Sequence, residues 1–170
     1  MLSHPRTFCE IVKVISRELL LHLSREARGL PRLRKNYNLH SSDNSRCHRL
    51  LNAMEPASYI RPHRHVDQEK DEAFILMRGA LGVIIFDDAG EVTETVLMSF
   101  LTGNLAVDIP HGVLHTAVCL EMGTVFCETK AGPYLSLNEE EKAGWAPEEN
   151  TPLALSYLEK LRGVLAEFAV

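Results

Sequence analysis

Pro62-His63-Arg64-His65-Val66-Asp67-Gln68-Glu69-Lys70-Asp71-Glu72-Ala73-Phe74-Ile75-Leu76-Met77-Arg78-Gly79 sets two imidazoles and a carboxylate ahead of a β-prone run that ends at a turn glycine. In an extended chain residues two apart share a face, so His63 and His65 converge on one point. Glu72 opens the following strand and can place its carboxylate beside them. Far along the chain, Pro110-His111-Gly112 makes a turn, and His115 follows at the start of another strand, where it offers a third imidazole. Three nitrogens and one oxygen suit Fe(II), Mn(II), Ni(II), Co(II) or Zn(II); six-fold coordination would leave positions open for water, substrate or dioxygen. Histidines two apart also occur as exposed or stacked residues near loops. The surroundings give this pair its weight.

Outward from that stretch, short β-prone runs recur over Arg49–Met54, Ser58–Arg61, Glu72–Met77, Ala80–Phe86, Glu91–Met98, Leu105–Ile109, Leu114–Leu120 and Thr124–Thr129. Turn residues divide them: Glu55-Pro56, Arg78-Gly79, Asp87-Asp88-Ala89-Gly90, Gly103-Asn104, Pro110-His111-Gly112 and Met122-Gly123. Evenly spaced strands with turn signals predict a mainly β sandwich or barrel, not a βαβ fold. Before it, Thr7-x-x-Glu10 has the form of a capping box, and Val12, Ile15, Leu19 and Leu23 follow at helical spacing until Gly29 and Pro31, predicting a helix over about residues 8–27. The polar stretch Arg32–Arg46 reads as a loop or an extended arm. After the strands, Thr151 and Pro152 suit a helix start, with Leu158, Leu161, Leu165 and Phe168 on one stripe. That helix packs either on its own sandwich or on a partner subunit. The expected organisation is an N-terminal helix and basic arm over 1–46, a β-barrel over 47–135 and a C-terminal helical extension over 136–170.

The 170 residues are 45% hydrophobic and 24% charged, which is globular composition and argues against a disordered or fibrous chain. No apolar stretch reaches the length of a membrane span, and none has the form of a signal-peptide core, so the expectation is a cytoplasmic protein with no membrane partner. Cys9, Cys47, Cys119 and Cys127 are too scattered for a disulfide framework or a zinc knuckle. The net charge of −5 divides into +6 over residues 1–50 (ten Lys/Arg, four Asp/Glu) and −11 over residues 51–170 (eight and nineteen). The basic segment lacks aromatic interleaving and the remainder is acidic, so nucleic acid is not expected as a partner.

The spacing His63-x-His65-x6-Glu72-x6-Gly79, followed by Pro110-x-Gly112-x2-His115 in a many-stranded background, resembles the two-motif pattern of the cupin superfamily. Ala57 stands where the first motif usually starts with Gly, and the gap from His65 to Glu72 is longer than usual. Gly103 lies one residue further from Pro110 than in the common pattern, and Cys119 replaces the usual closing Asn. The longer gap makes Glu69 a competitor for the carboxylate position; Glu72 keeps the spacing to Gly79. The flanking runs Pro31-Arg32-Leu33-Arg34-Lys35-Asn36-Tyr37-Asn38-Leu39-His40, Arg49-Leu50-Leu51-Asn52-Ala53-Met54-Glu55-Pro56, Lys130-Ala131-Gly132-Pro133-Tyr134 and Trp145-Ala146-Pro147 are similar to the WbuC family of cupin-fold metalloproteins over nearly the whole chain. The resemblance implies a cupin double-stranded β-helix (a jelly-roll barrel) with an N-terminal helix and C-terminal helices. It also implies a divalent metal held by His63, His65, Glu72 and His115, and a link to surface-polysaccharide gene clusters; it supplies no substrate.

Arg32, Arg34, Asn38 and His40 lie on the arm before the barrel. They either reach its mouth, where arginine would grip a carboxylate or phosphate, or tie the arm down by hydrogen bonds. Arg61 shares parity with His63 and His65 and either faces the cavity or snorkels at its rim. Tyr134 is either an acid near the cavity or a turn-packing residue. His111 is not expected to be a ligand, and His4, His22 and His48 read as surface or structural residues. Two functions follow: an enzyme using Lewis-acid chemistry (isomerase, epimerase or lyase) or an Fe(II) oxygenase on a small polar or anionic ligand such as a sugar or sugar nucleotide, or a non-catalytic ligand-binding module. A metal held for structure alone is a third reading, set against a core large enough to stand without one. Unpaired sheet edges favour a homodimer.

Overall fold

A computed structural model describes residues 12–167. The chain runs α1 (Arg17–Arg28), β1 (Arg34–Asn38), β2 (Cys47–Met54), β3 (Glu72–Arg78), β4 (Ala80–Phe86), β5 (Val92–Ser99), β6 (Ala106–Ile109), β7 (Leu114–Cys119), β8 (Thr124–Ala131) and α2 (Pro152–Glu167). Two antiparallel sheets face each other, one ordered β1-β2-β8-β3-β6 and the other β5-β4-β7. The segment around His63 extends the second sheet: His63 N–H donates to the His115 carbonyl at 3.0 Å and His115 N–H donates back at 2.9 Å. With that segment beside β7, the chain from β2 to β8 crosses from sheet to sheet at each step except the β4–β5 hairpin, as in a jelly roll. The sheets are not closed on each other, so the architecture is an open sandwich and not a sealed barrel.

Alternation along the strands sorts the side chains into three layers. Leu51 and Ala53 of β2 with Val125 and Cys127 of β8 turn outward against Leu20, Leu23 and Ala27 of α1. Ile84 and Phe86 of β4 with Leu114 and Val118 of β7 turn outward against Leu158, Leu161 and Leu165 of α2. Between the sheets lie Met54, Phe74, Leu76, Leu81, Val83, Met98 and Phe126. The second helix therefore packs on its own sandwich. At the β3–β4 turn Gly79 sits at φ +83°, and a Cβ there would fall 2.4 Å from Thr124 Oγ1, so both conformation and space select glycine.

Four expectations need correction. The first helix starts at Arg17, where the Ser16 hydroxyl accepts from Leu19 N–H at 3.2 Å; Val12 and Ile15 are outside it, and the Thr7-x-x-Glu10 capping box lies outside the described residues. The polar arm contains a strand, β1, which pairs antiparallel with β2 from Arg34↔Met54 to Asn38↔Leu50. Its backbone supplies the ladder, so no apolar alternation is required of Arg-Lys-Asn-Tyr-Asn. Ser58–Arg61 is not a strand; the bridge to β7 begins at His63. In the C-terminal extension only Pro152–Glu167 is helical, as a single helix, and Thr151 turns its hydroxyl back to the Glu148 carbonyl at 2.8 Å instead of capping it. Phe168 lies outside the described residues.

Candidate metal centre

One end of the space between the sheets is apolar, and the other is lined by ionisable groups around a cavity of about 580 Å³. Glu72 enters from the first residue of β3, His115 from the second residue of β7, and His63 and His65 from the extended segment beside β7. Donor atoms of His63, His65 and Glu72 all lie within 4.8 Å of one another. His115 meets this group at Glu72: its Nε2 is 2.7 Å from Glu72 Oε1, while His65 Nε2 is 3.4 Å from the same oxygen. Ligands at about 2.1 Å from one cation stand roughly 3.0 Å apart at right angles and about 3.4 Å apart at the tetrahedral angle. The 2.7 and 3.4 Å separations at Glu72 Oε1 are near those values, and the His63, His65 and Glu72 cluster allows a metal ion.

Backbone carbonyls fix the direction of two rings. His115 Nδ1 donates to the Val113 carbonyl at 2.9 Å and His63 Nδ1 donates to the Arg61 carbonyl at 3.1 Å. A carbonyl only accepts, so the ring proton sits on Nδ1 and the Nε2 lone pair is left for the cavity, the arrangement that metal-binding histidines use. Glu72 Oε1 and His115 Nε2 are buried, and despite their short separation neither has a partner in hydrogen-bond geometry. Two lone pairs facing each other away from water are unfavourable unless a cation, a proton or a metal, lies between them. The donor set fits a divalent transition metal.

Burial favours a protonated Glu72, but the imidazoles of His115 and His65 and the ammonium of Lys130 outweigh it and hold the carboxyl well below its ordinary range. Burial, with a smaller contribution from the neighbouring His115, pushes His63 down to about 3. For the metal-free protein both shifts have the same sign. The unfolded chain binds protons that the folded site resists, so the stabilisation is complete above an ordinary histidine pKa of about 6.5 and is lost as pH falls toward 3. Thermal melting of chelator-treated protein is expected to fall steadily from pH 7 to pH 4; a melting temperature flat across that range would contradict this account.

The remaining candidates divide. Arg32, Arg34, Arg61 and Tyr134 line the cavity. Arg34 is largely spoken for: its Nη1 donates to the Tyr59 carbonyl at 2.7 Å and its Nη2 reaches both oxygens of Glu149 at 2.7 and 2.6 Å. Arg32 approaches the same carboxylate at 3.4 Å, and Arg61 donates to the Ala143 carbonyl. Tyr134 is exposed, with its backbone N–H on the Asp43 carbonyl. Asn38 and His40 are not in the cavity wall. Asn38 is exposed at the far end of β1, and His40 is buried with its ring on the Arg49 backbone and stacked on His48 at 4.1 Å. Glu69 is exposed on the loop before β3, so the carboxylate beside the histidines is that of Glu72. His111 is also exposed and paired with Asp71 at 2.8 Å.

Sequence reasoning missed the polar residues of the first sheet. Glu128 and Lys130 follow Phe126 on the inward parity of β8 and line the cavity, as do Asn36 of β1 and Asn52 of β2. Asn52 Nδ2 donates to Glu128 Oε2 at 2.6 Å, and Lys130 Nζ pairs with Glu128 and with Glu72 Oε2, the latter at 3.6 Å. Burial pulls the Lys130 pKa down, but Glu128 and Glu72 more than offset it, so the amine is held above its ordinary value and charged. Glu141 closes the opposite side, with Oε1 3.9 Å from His65 Nδ1.

A family model described as a domain of unknown function, DUF6016, matches residues 15–98. No curated protein matches in sequence. Among solved structures the chain is similar to KdgF from a Halomonas species, at 18% identity over 60% of this chain and 82% of that one with a TM-score of 0.47. It is also similar to a cupin-superfamily protein from Desulfitobacterium hafniense, at 10% identity over 58% and 76% with a TM-score of 0.45. Procruciferin, an 11S globulin from Brassica napus, shares 15% identity over 52% of this chain and 21% of its own, with a TM-score of 0.43. These neighbours are cupin-superfamily proteins. The likeness concerns the fold only; the reading of the site stands on its own geometry. Among the described residues no helix is long and apolar enough to cross a membrane.

Proposed function

We propose that this chain is a cupin-fold metalloprotein of the WbuC family that holds one divalent transition metal, Fe, Mn, Ni, Co or Zn, through His63, His65, Glu72 and His115. Its ligand is a small polar or anionic molecule such as a sugar or sugar nucleotide of surface-polysaccharide metabolism. The observation that carries this reading is the buried, unpartnered pair Glu72 Oε1 and His115 Nε2, 2.7 Å apart with a second imidazole 3.4 Å away. A metal there supplies Lewis acidity toward a carbonyl or hydroxyl, as isomerase, epimerase or lyase chemistry requires. The chain's own residues do the remaining work. The carbonyls of Val113 and Arg61 orient two imidazoles. Phe74 and Phe126 exclude water from the floor of the cavity, and Asn52 and Glu128 offer hydrogen bonds to a ligand's hydroxyl groups.

The test is elemental analysis of protein dialysed without chelator, expected to give close to one transition metal per chain; absence of metal at any useful stoichiometry would sink the reading. The cytoplasmic setting and a homodimer joined through sheet edges belong to the same proposal, the latter checked by sedimentation.

A further inference from the structure

Lys130 has a different relation to the cluster from every other cation around the cavity. Its side chain is 19% exposed, and its ammonium meets the Glu128 carboxylate, Glu72 Oε2 at 3.6 Å and His65 Nε2 at 3.5 Å. Of these three, the His65 contact has hydrogen-bond geometry, and those to Glu128 and Glu72 are ion pairs. Two of those contacts are to groups that the proposed function assigns to the metal, and the present inference rests on that reading. His65 Nε2 has a single lone pair and cannot serve an ammonium and a metal together. Glu72 keeps one oxygen toward Lys130, but its charge is then shared. With the metal bound, Lys130 retains Glu128 as its one full partner and has an N–H aimed at the cluster without an acceptor, beside a new positive charge. A poorly hydrated donor in that position calls for an anion.

The other cations of the wall are engaged elsewhere. Arg32 and Arg34 face Glu149, Arg61 donates to the Ala143 carbonyl, Lys70 lies near Asp67 at 3.8 Å and Lys142 near Glu139 at 2.8 Å. A cavity of about 580 Å³ gives room for a small molecule next to Lys130. We propose that Lys130 selects the ligand: its ammonium receives a carboxylate of a small molecule, seated between Lys130 and the His63, His65, Glu72 and His115 cluster. A charge-assisted contact at a desolvated site makes the preference for carboxylate over its neutral amide large.

The experiment uses the full chain loaded with Co(II), its cobalt content measured first, and calorimetric titration with glycolate and with glycolamide. The wild type is expected to prefer glycolate by at least ~tenfold, and Lys130→Met to lose that preference while retaining cobalt. Lys130→Gln carries the same comparison should methionine not be tolerated at this position. Equal binding of the two probes by cobalt-loaded wild type, or binding of neither, overturns the proposal and leaves the metal reading intact. A preference that survives removal of the Lys130 charge also overturns it. Failure of the wild type to hold cobalt removes the metal reading and this inference with it, and the separate cobalt measurement identifies that case.

Discussion

Glu72→Gln is expected to weaken transition-metal binding by more than ~100-fold, beyond the 10–100-fold cost typical of losing a residue that only orients a ligand. The substitution preserves shape and removes the one charged oxygen donor of the cluster. Glu72 is 3% exposed, and its Oε1 is the atom that both His115 and His65 approach. The amide can present its oxygen to a cation but contributes no charge to offset the desolvation of a dication, and its NH₂ group would face imidazole lone pairs or Lys130. The fold should survive, because β3 is held by its ladders to β8 and β6 and by Phe74 and Leu76 in the core. Metal titration by calorimetry or fluorescence competition checks the loss, and far-ultraviolet circular dichroism checks the fold. A variant that binds metal as tightly as the wild type would show that Glu72 is a buried ion-pair residue and not a ligand.

The two ends of the cavity differ in how far the sequence reveals them. His63, His65 and Glu72 are legible because the first two are joined by strand parity and the third by its distance from a turn glycine, both local relations. His115 is legible from the Pro110-His111-Gly112 turn before it. Lys130, Glu128 and Asn52 carry no such mark. A charged residue on a strand faces solvent by default, and only the pairing Leu50↔Glu128 and Glu72↔Lys130 brings their side of β8 into the sandwich. Parity tells which residues share a face but not which face is inside. Similarly, β1 lacks an apolar rhythm because its order derives from the exposed edge of β2. The arginines of the arm were open to two readings, grip or tether. Glu149, over a hundred residues away, gives Arg34 the second, and no local pattern announces that contact. The same distance rule explains the helices: Leu158, Leu161 and Leu165 form a stripe that can be read directly, whereas the start of α1 is set by Ser16, a cap that the periodicity of Val12 and Ile15 obscures.

Phe126→Ala is expected to destabilise the protein by about 3–5 kcal/mol, the range for truncating a large aromatic side chain in a packed core. Phe126 sits on β8, which pairs with both β2 and β3 at the centre of its sheet, and it is only 2% exposed. Its ring packs against Phe74 at 4.9 Å between centroids, and both rings line the cavity that holds the His63, His65 and Glu72 cluster. Removing it deletes contacts to the core and also opens the site downward. Alanine cannot fill the space, and the neighbouring strands are fixed by their ladders, so collapse is limited. In a domain of this size each kcal/mol shifts the melting temperature by roughly 2–4 °C, giving an expected fall of roughly 6–20 °C. Phe126→Leu should recover much of the loss by refilling the volume. Because the hole opens onto a polar cavity and not into sealed core, water can enter it, so the cost should lie toward the lower end of the range and metal affinity should fall modestly as the cluster becomes wetter. Thermal melting of the metal-free forms separates the packing loss from any change in metal binding. A change below about 0.5 kcal/mol, the level of an ordinary surface substitution, would mean that Phe126 belongs to a loosely packed cavity wall and that the sandwich is held chiefly by its two helix-facing layers.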